Sequence, residues 1–419
     1  MPMQNRRNTV YTLLILCLLT GLFTGRAFFF NIGFMFGMLL LVSLIWSALS
    51  VRWLDMGRRT RSRRAQVGHH LEETFMVRNR AIIPKLWLEV IDESDLPGHR
   101  ASQVVASLGA RSGQQWHVRT RCVTRGEFRL GPMVITSGDP FGLFLAQRRL
   151  EASSRVLVYP ATVNINHIEL PMGMLSGGEA QRRRSHYVTT NAAGVRDYVP
   201  GDSFNRIHWR STARKDRLIV KEFEIDPLVD IWLFADFSRN SLFEAPHVQR
   251  IGEVGPVIPT DNRIPASTEE YIAVIAASLA QHFSRVERAL GFAAYTPNRV
   301  IHQPERGSRQ LTRILEALAV GRSTSDYTLE QMLTLETPYF TRGTTLILVT
   351  SSVDISWITS AQILGSRGIR TLCILVDAGS FGGPPNIDAA RGRLRLAKIP
   401  NIVIRYNDDI ARVLEQGSA

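Results

Sequence analysis

The 419-residue sequence predicts a hairpin of two transmembrane helices, then a β-sandwich domain similar to immunoglobulin-like modules, then a doubly wound α/β domain. Three observations predict this order. A long apolar stretch occupies residues 10–51, short runs rich in β-branched and aromatic residues follow over 67–160, and strands alternate with helices over 227–419. At roughly 100 to 200 residues per domain, a chain of this length is expected to hold two soluble domains.

The apolar stretch at residues 10–51 carries one charged side chain, Arg26, and as a helix it would be roughly twice as long as a bilayer is thick. We therefore expect two spans with a turn within residues 25–31. Two arginines in residues 1–9 precede the first span and a basic segment, residues 52–66, follows the second. The positive-inside rule then places the soluble domains at the cytoplasmic face of the inner membrane, and a cleaved signal peptide in place of the first span would not change that side.

The net charge of +13 is concentrated beside the apolar stretch, where residues 52–64 contain six arginines and one aspartate. We interpret residues 52–66 as a juxtamembrane linker that contacts anionic lipid head groups, and we do not expect nucleic-acid binding. The cysteines, Cys17, Cys122 and Cys373, are far apart in the chain. They predict neither a disulfide framework nor a CxxC metal site, which fits a reducing compartment.

Within the predicted β-sandwich, the segment KLWLEVID alternates partly with the period of a strand. The segment GDPFGLF, residues 138–144, combines turn formers with large apolar residues. It predicts a tight turn whose Phe141 and Phe144 pack into a core. The residues of this domain show no catalytic pattern.

A connecting segment, residues 161–226, contains the motif GVRDYVPGDSFNRIHWRSTARKDRLIVKEFE at residues 194–224. Together with the upstream segments TRGEFRLGP and SGDPFGLF, it resembles the domain-of-unknown-function 58 (DUF58) family. These are membrane-anchored bacterial proteins whose C-terminal part is similar to a von Willebrand factor A domain. The resemblance runs through essentially the whole chain, and it implies that residues 227–419 form a von Willebrand A-like domain.

Seven residues of the motif are candidates for a binding or interaction surface: Arg196, Asp197, Asp202, Arg206, His208, Trp209 and Arg214. We favour a structural interpretation, in which Trp209 fills a core gap and the first four residues form a buried or half-buried ion-pair network that fixes the crossing between the domains. Docking of a partner protein is the second interpretation. In the third, His208 is a general base or metal ligand and the flanking arginines hold an anionic group.

The von Willebrand A-like fold implies an Asp-x-Ser-x-Ser loop that binds a divalent cation after the first strand, at the edge where doubly wound sheets bind ligands. The matching residues are Asp236, Ser238, Asn240 and, from a later loop, Thr328. Asn240 replaces a serine, and Ser351 and Ser352 replace the aspartate expected after the fourth strand. The site is therefore degenerate, with magnesium as the expected ion and a structural role for Asp236 as the favoured alternative.

We expect this chain to be a membrane-tethered interaction or scaffold protein rather than an enzyme. The family resemblance implies a MoxR-type AAA ATPase as partner in a chaperone-like assembly role, and the sequence itself has no GxxxxGK[ST] nucleotide-binding loop. Two alternatives stay open. One is a membrane-bound, metal-dependent hydrolase that uses Asp236 and His208, which must then converge on one pocket. The other is a structural component of the cell envelope.

Overall fold

The structure is a computed structural model that describes residues 2–151, 153–171, 192–199, 204, 207–223, 230–245, 264–296 and 298–417. The chain divides into two compact units. Unit 1 comprises Met1–Thr162, His247–Ala266 and Leu315–Gly321, and unit 2 comprises Val163–Pro246, Ser267–Ile314 and Arg322–Ala419.

Unit 1 begins with two helices, α1 (Pro2–Thr24) and α2 (Ala27–Ser50). Both are long and apolar enough to cross a membrane. The turn between them is shorter than predicted, because only Gly25 and Arg26 lie between the two helices. The φ of Gly25 is +66°, a value that suits a residue without a side chain. A Cβ added at Gly33 of α2 would lie 3.0 Å from Leu18 of α1, so the helices pack closely there.

Within residues 51–162 of unit 1, the described part contains ten strands: β1 (Leu54–Thr60), β2 (Arg64–Gln66), β3 (His70–Asn79), β4 (Leu88–Asp92), β5 (Gln103–Val105), β6 (Gly113–Arg121), β7 (Gly126–Leu130), β8 (Met133–Gly138), β9 (Leu145–Leu150) and β10 (Ser154–Tyr159). They pair as three sheets, in the orders β1-β3-β6, β5-β4-β8-β9 and β2-β10-β7. All pairs are antiparallel except β2 with β10. The immunoglobulin-like form of this domain stays a prediction.

Strands β1 and β2 correct the prediction of a linker at residues 52–66. In β1, Leu54 is buried and the next four residues are partly buried, which a solvated linker would not show. The strand was not recognised because a buried side chain farther along it belongs to an arginine, Arg58. Arg58 is buried there because acidic side chains inside the domain receive it.

The main core of unit 1 lies between the sheets that contain β3 and β4. Strand β3 buries every second residue, and its Phe75 stacks on Trp116 of β6 with ring centroids 5.4 Å apart. Leu88 and Val90 of β4 and Ile135 of β8 belong to the same core. The period of two therefore holds this domain together, as the sequence predicted for a sheet with one buried face.

A buried ionic network lies inside this core. The Arg58 guanidinium contacts the Asp92 carboxylate, its Nε lies 3.3 Å from Glu73 Oε1, and the side chain is 5% exposed. His99 Nε2 lies 2.8 Å from Asp92 Oδ2 and 3.3 Å from Glu73 Oε2. The guanidinium also lies 4.8 Å above the Phe75 ring. Two basic and two acidic side chains from separate segments thus meet where water is excluded.

The pKa of Asp92 lies below its ordinary value. Burial raises it, but the hydrogen bonds from His99 and Ser94 and the charge of Arg58 together outweigh burial. Because the folded-state pKa is depressed, the ionised carboxylate contributes stability above its unfolded-state pKa, and this contribution is lost as pH falls through the folded-state pKa.

Replacing Arg58 with Met is expected to lower the free energy of unfolding of unit 1 by about 3 kcal/mol, because it leaves two buried carboxylates without their cation. Hydrogen exchange of the β1 and β3 amides, in full-length protein in detergent micelles, measures this. The matched control is Arg61→Met, since Arg61 pairs with Glu72 at the surface and should change stability by less than about 1 kcal/mol. Equal effects of the two substitutions would show that the network is not a stabilising element.

Unit 2 contains a six-stranded sheet with the order β15-β14-β13-β16-β17-β18. The strands are β13 (Ile231–Ala235), β14 (Leu290–Tyr295), β15 (Arg299–Glu305), β16 (Thr345–Thr350), β17 (Arg370–Val376) and β18 (Asn401–Ile404). Numbered along the chain, the order is 3-2-1-4-5-6, with β15 antiparallel and the others parallel. This confirms the predicted parallel-rich sheet, and the strand order, which the sequence did not predict, is one that doubly wound sheets have.

The helices that follow β13 in the described chain are α4 (Thr268–Arg285), α5 (Ser308–Val320), α6 (Leu329–Glu336), α7 (Trp357–Ser366), α8 (Ile387–Leu396) and α9 (Ile410–Gln416). Strand β15 follows β14 without a helix, and the second half of α5 belongs to unit 1. Trp232 and Phe234 of β13 pack in one core with residues of α6, α7 and α8. The alternate residue, Leu233, is also buried, and α4 packs along the central strands. Every residue of β13, β14 and β16 is buried, which explains their continuous apolar runs.

The motif region of unit 2 forms a small antiparallel ribbon and a short helix. Strand β11 (Ala192–Asp197) pairs with β12 (Ile219–Phe223), and α3 (Trp209–Lys215) lies between them in sequence.

Candidate functional site

The point where the sheet order of unit 2 reverses lies between β13 and β16. The chain continues from β13 to β14 on one side and from β16 to β17 on the other, so the carboxyl ends of β13 and β16 border a crevice where doubly wound sheets bind ligands. Asp236 directly follows β13, and Thr350 is the last residue of β16. The predicted site therefore lies at the expected edge of the sheet.

Asp236 is fully buried and held by two donors. Its Oδ1 accepts a hydrogen bond from the Ser238 N–H at 3.0 Å, and its Oδ2 accepts one from the Thr350 hydroxyl at 2.6 Å. The Asp236 N–H donates to the Val349 carbonyl at 3.0 Å. Asp236 thus joins the ends of β13 and β16.

Ser241, rather than the predicted Asn240, lies beside Asp236. Residues Arg239–Ser241 form one turn of 3₁₀ helix in which Asn240 is exposed and Ser241 is buried. The Ser241 hydroxyl donates to the Ser238 carbonyl at 2.8 Å, and the Ser241 carbonyl accepts hydrogen bonds from the hydroxyls of Thr268 and Ser351. These hydroxyls satisfy backbone groups of the loop and do not point freely into the crevice.

Thr328 occupies a different role from the one predicted. It is the N-cap of α6, and it forms a capping box with Gln331 in which the Gln331 N–H donates to the Thr328 hydroxyl at 3.3 Å. The loop residue that reaches the site is Ser325, whose carbonyl accepts the Arg239 N–H at 2.8 Å and which forms a β-bridge with Ser238. Thr350 and Ser325 were missed because both look like ordinary polar loop or strand-end residues.

Burial raises the pKa of Asp236, while the hydrogen bonds from Thr350 and Ser238 oppose that rise. Among the residues that the structure describes, no three His, Cys, Asp or Glu side chains are placed to hold a metal ion. The site offers one carboxylate whose oxygens already accept hydrogen bonds, whereas magnesium prefers several hard oxygen ligands. This set fits a hydrogen-bonded lock better than a cation site, and magnesium binding stays a prediction.

His208 is the N-cap of α3. Its Nδ1 accepts the Ser211 N–H at 3.2 Å and lies 2.7 Å from the Ser211 hydroxyl. Asp236 has its own partners, Ser238 and Thr350, so no described hydrogen bond connects it with His208. A cap whose acceptor nitrogen is occupied by the helix is not arranged as a general base.

The predicted core role of Trp209 is wrong. Trp209 is the first residue of α3, and 67% of it is exposed. The backbone N–H of its neighbour His208 donates to the Ile219 carbonyl at 2.7 Å and so fixes the start of the helix against β12. Trp209 is thus held at the start of α3 with most of its surface exposed.

Of the residues predicted to form an ion-pair network, Asp197 lies at the surface and pairs with Arg217 at 3.1 Å. Arg196 lies in β11 opposite Val220 of β12, and Arg214 is exposed in the last turn of α3. Asp202 and Arg206 lie outside the described residues, so their part of the prediction stays a prediction.

Exposed apolar and basic side chains lie together around α3 and the end of the ribbon. We call this the motif surface. Its exposed residues are Val199, Phe204, Trp209, Arg210, Arg214, Arg217 and Leu218, and its partly buried residue is Tyr198. Phe204 is 70% exposed and stacks on Tyr198 with ring centroids 6.2 Å apart. The Tyr198 N–H donates to the Leu218 carbonyl at 2.9 Å, which joins the two ends of the surface.

Residues 194–258 match the model of the family described as "Protein of unknown function DUF58". This region contains both the motif and Asp236. Over 247 residues, the chain is 26% identical to "Uncharacterized protein YeaD" of Bacillus subtilis (strain 168), and the match covers 56% of this chain and 62% of that protein. The predicted family resemblance is thus confirmed for the motif region, and the von Willebrand A-like assignment stays a prediction.

Similar solved structures include proximal thread matrix protein 1 from the mussel byssus, with a TM-score of 0.30 and 10% identity over 45% of this chain and 46% of that one. The CARDB domain of the PF1109 protein from Pyrococcus furiosus matches with a TM-score of 0.19 and 16% identity, over 25% of this chain and 91% of that one. Likeness at this level carries no argument about function.

Replacing Asp236 with Ala is expected to lower the free energy of unfolding of unit 2 by about 2 to 3 kcal/mol, because it leaves the Ser238 N–H and Thr350 hydroxyl unpaired. Asp236→Asn keeps one acceptor and should cost less. Hydrogen exchange of the β13 and β16 amides measures both, with the exposed Asp326→Asn as control, expected within about 0.5 kcal/mol of wild type.

The stability of Asp236→Asn relative to wild type should also depend on pH. Because the folded-state pKa of Asp236 is raised, its protonation contributes stability in full below the unfolded-state pKa, and the contribution is lost as pH rises through the folded-state pKa. Asparagine does not titrate, so raising the pH should favour the variant relative to wild type. A stability difference that stays constant with pH would contradict the raised pKa.

Proposed function

We propose that this protein is a membrane-tethered docking protein whose motif surface binds a partner protein at the inner face of the membrane. The observation that carries this proposal is the exposure of Trp209 and Phe204 beside Arg210, Arg214 and Arg217. Tryptophan, tyrosine and arginine are the residues that most often dominate the binding energy of protein interfaces. A large aromatic side chain left in water gains free energy when a partner covers it.

The residues below the motif surface support a docking role, because they fix α3 in place before a partner binds. Ile207 and Ile219 are buried, and the His208 cap fixes the direction in which α3 leaves the ribbon. A preformed surface loses little conformational freedom on binding, which favours affinity.

For unit 2 we propose a von Willebrand A-like domain, and the 3-2-1-4-5-6 strand order with Asp236 and Ser238 after the first strand supports this. For the β domain of unit 1 we propose a sandwich with immunoglobulin-like features, supported by the shared core of the β3 and β4 sheets. The third sheet, β2-β10-β7, is an addition to that plan.

As the partner we propose an AAA ATPase of the MoxR type, a choice that rests on the family resemblance of the motif region. Such an ATPase would supply the energy for an assembly role that this chain does not supply through a GxxxxGK[ST] loop. The hydrolase alternative has no such support, because His208 and Asp236 have separate hydrogen-bond partners.

Replacing Trp209 with Ala in the full-length, membrane-inserted protein is expected to reduce recovery of the ATPase about tenfold or more in affinity capture, as for the loss of an interface hot spot. The matched control is Leu396→Ala, because Leu396 is an exposed apolar residue of α8 outside the motif surface. This variant should recover the ATPase as wild type does.

Two results would contradict the proposal. Undiminished recovery with the double variant Trp209→Ala and Phe204→Ala would exclude the motif surface as the docking site. Absence of any ATPase in captures with the wild-type protein would exclude the proposed partner, and captures with and without magnesium would show whether the ion contributes.

A further inference from the structure

The β domain of unit 1 contacts the last turn of α2 directly. The Lys85 ammonium donates a hydrogen bond to the Leu49 carbonyl at 2.6 Å, and Lys85 is almost fully buried. A cation at the carboxyl end of a helix satisfies a free carbonyl and interacts favourably with the helix dipole. The Arg80 N–H also donates to the carbonyl of Trp53, three residues after α2 ends. Residues 80–86 therefore lie at the level of the end of α2.

This loop exposes apolar side chains although it is held in one conformation. Ile82 is 74% exposed, and Ile83 and Leu86 are also exposed. The Asn79 side chain fixes the loop, because its amide donates to the Ile83 carbonyl at 2.9 Å and its oxygen accepts the Ala81 N–H at 3.0 Å. The exposure is thus a property of the folded loop.

A second segment, the turn between β8 and β9, adds an exposed aromatic side chain to the end of unit 1 that adjoins the hairpin. The turn between β8 and β9, two strands that contact α2, is fixed by the buried Asp139 carboxylate, which accepts the N–H groups of Phe141, Leu143 and Phe144 at 2.6 to 2.9 Å. Leu143 is the residue that packs inward, whereas Phe141 is 52% exposed. The prediction that Phe141 fills a core was therefore wrong. Arg7 of α1 lies 5.9 Å above the Phe144 ring.

Basic side chains surround these apolar residues. Exposed arginines near the ends of the helices and in the adjoining turns are Arg6, Arg52, Arg80 and Arg111. Arg111 belongs to this group because its N–H donates to the Ala81 carbonyl at 3.1 Å. Asp55, an acidic residue on the neighbouring strand, is paired with Arg80. The combination of apolar side chains with surrounding arginines is complementary to anionic lipid head groups above a hydrocarbon layer.

We propose that this face of unit 1, formed by Trp53, Ile82, Ile83, Leu86 and Phe141, inserts into the head-group region of the bilayer that the hairpin spans. We call it the membrane face. Helix α2 has 24 residues, and about 20 residues cross the hydrocarbon layer, so its last turn stands at the head-group level. Side chains fixed beside Leu49 stand at that level too. Tryptophan and phenylalanine are favoured there, and arginines reach the phosphates.

The membrane face gives the hairpin a second role. Contacts through Lys85 and the inserted side chains would hold the β domain at a fixed height and orientation instead of leaving it on a free tether. This inference does not depend on the partner proposed for the motif surface, which lies in unit 2.

Site-directed spin labelling of the full-length protein in liposomes tests the proposal. Nitroxides are placed at Ile82→Cys and Phe141→Cys in a Cys17→Ala background. Cys122 and Cys373 are retained, because both are buried and burial raises the pKa of their thiols, to about 11 for Cys122. The matched control is Ser62→Cys, an exposed position beyond the far end of β1, about 20 Å from the end of α2 by strand rise.

In vesicles of phosphatidylcholine with phosphatidylglycerol, collision rates with oxygen and with a water-soluble nickel complex report the depth of each label. Positions 82 and 141 should show a several-fold higher ratio of oxygen to nickel accessibility than position 62. Equal ratios at the three positions would overturn the proposal. The proposal would also be overturned if the nickel accessibility of the label at position 82 fell only when a soluble protein was added. That result would indicate that this face binds a protein and not the bilayer.

Discussion

A buried carboxylate has to be met by hydrogen-bond donors, and three of the places in the described structure where this requirement is satisfied explain most of its organisation. Asp92 receives Arg58 and His99 inside unit 1, Asp139 receives three backbone N–H groups, and Asp236 receives Ser238 and Thr350. Each carboxylate fixes segments that are far apart in sequence or a turn without regular structure. Asp92 joins segments of the β domain, Asp139 fixes the turn that carries Phe141, and Asp236 connects β13 with β16 at the carboxyl edge of the sheet.

In unit 2, the same requirement gives Asp236 a structural role at the edge where a ligand site is expected. Asp236 occupies the position where a doubly wound sheet would bind a ligand, yet its oxygens are used to join β13 to β16. The crevice is therefore lined by hydroxyls that satisfy the loop itself. Two large aromatic side chains that are exposed, Trp209 and Phe204, lie instead around the small ribbon and its helix.

The sequence predicts those elements whose pattern reflects burial alone. The hairpin and the parallel sheet were predicted because long or continuous apolar runs are stable only inside a bilayer or a protein core. Burial does not decide whether a single aromatic residue in a polar segment points inward, which accounts for the errors at Trp209 and Phe141. Thr350 was missed because its role depends on β16 lying beside β13, a pairing between residues more than a hundred positions apart.

In the arginine-rich segment after the hairpin, the fold decides which arginines are buried, which form surface ion pairs and which lie near the ends of the helices. In sequence, residues 52–64 look like a cluster that contacts lipid, but β1 leads away from α2 at about 3.3 Å per residue. Arg58 is consequently buried with Asp92, and Arg61 pairs with Glu72 well beyond the end of the helix. Basic side chains beside the helix ends come instead from separate segments, including Arg6, Arg80 and Arg111. The positive charge beside the helix ends is therefore assembled by the fold and is not present as a run in the sequence.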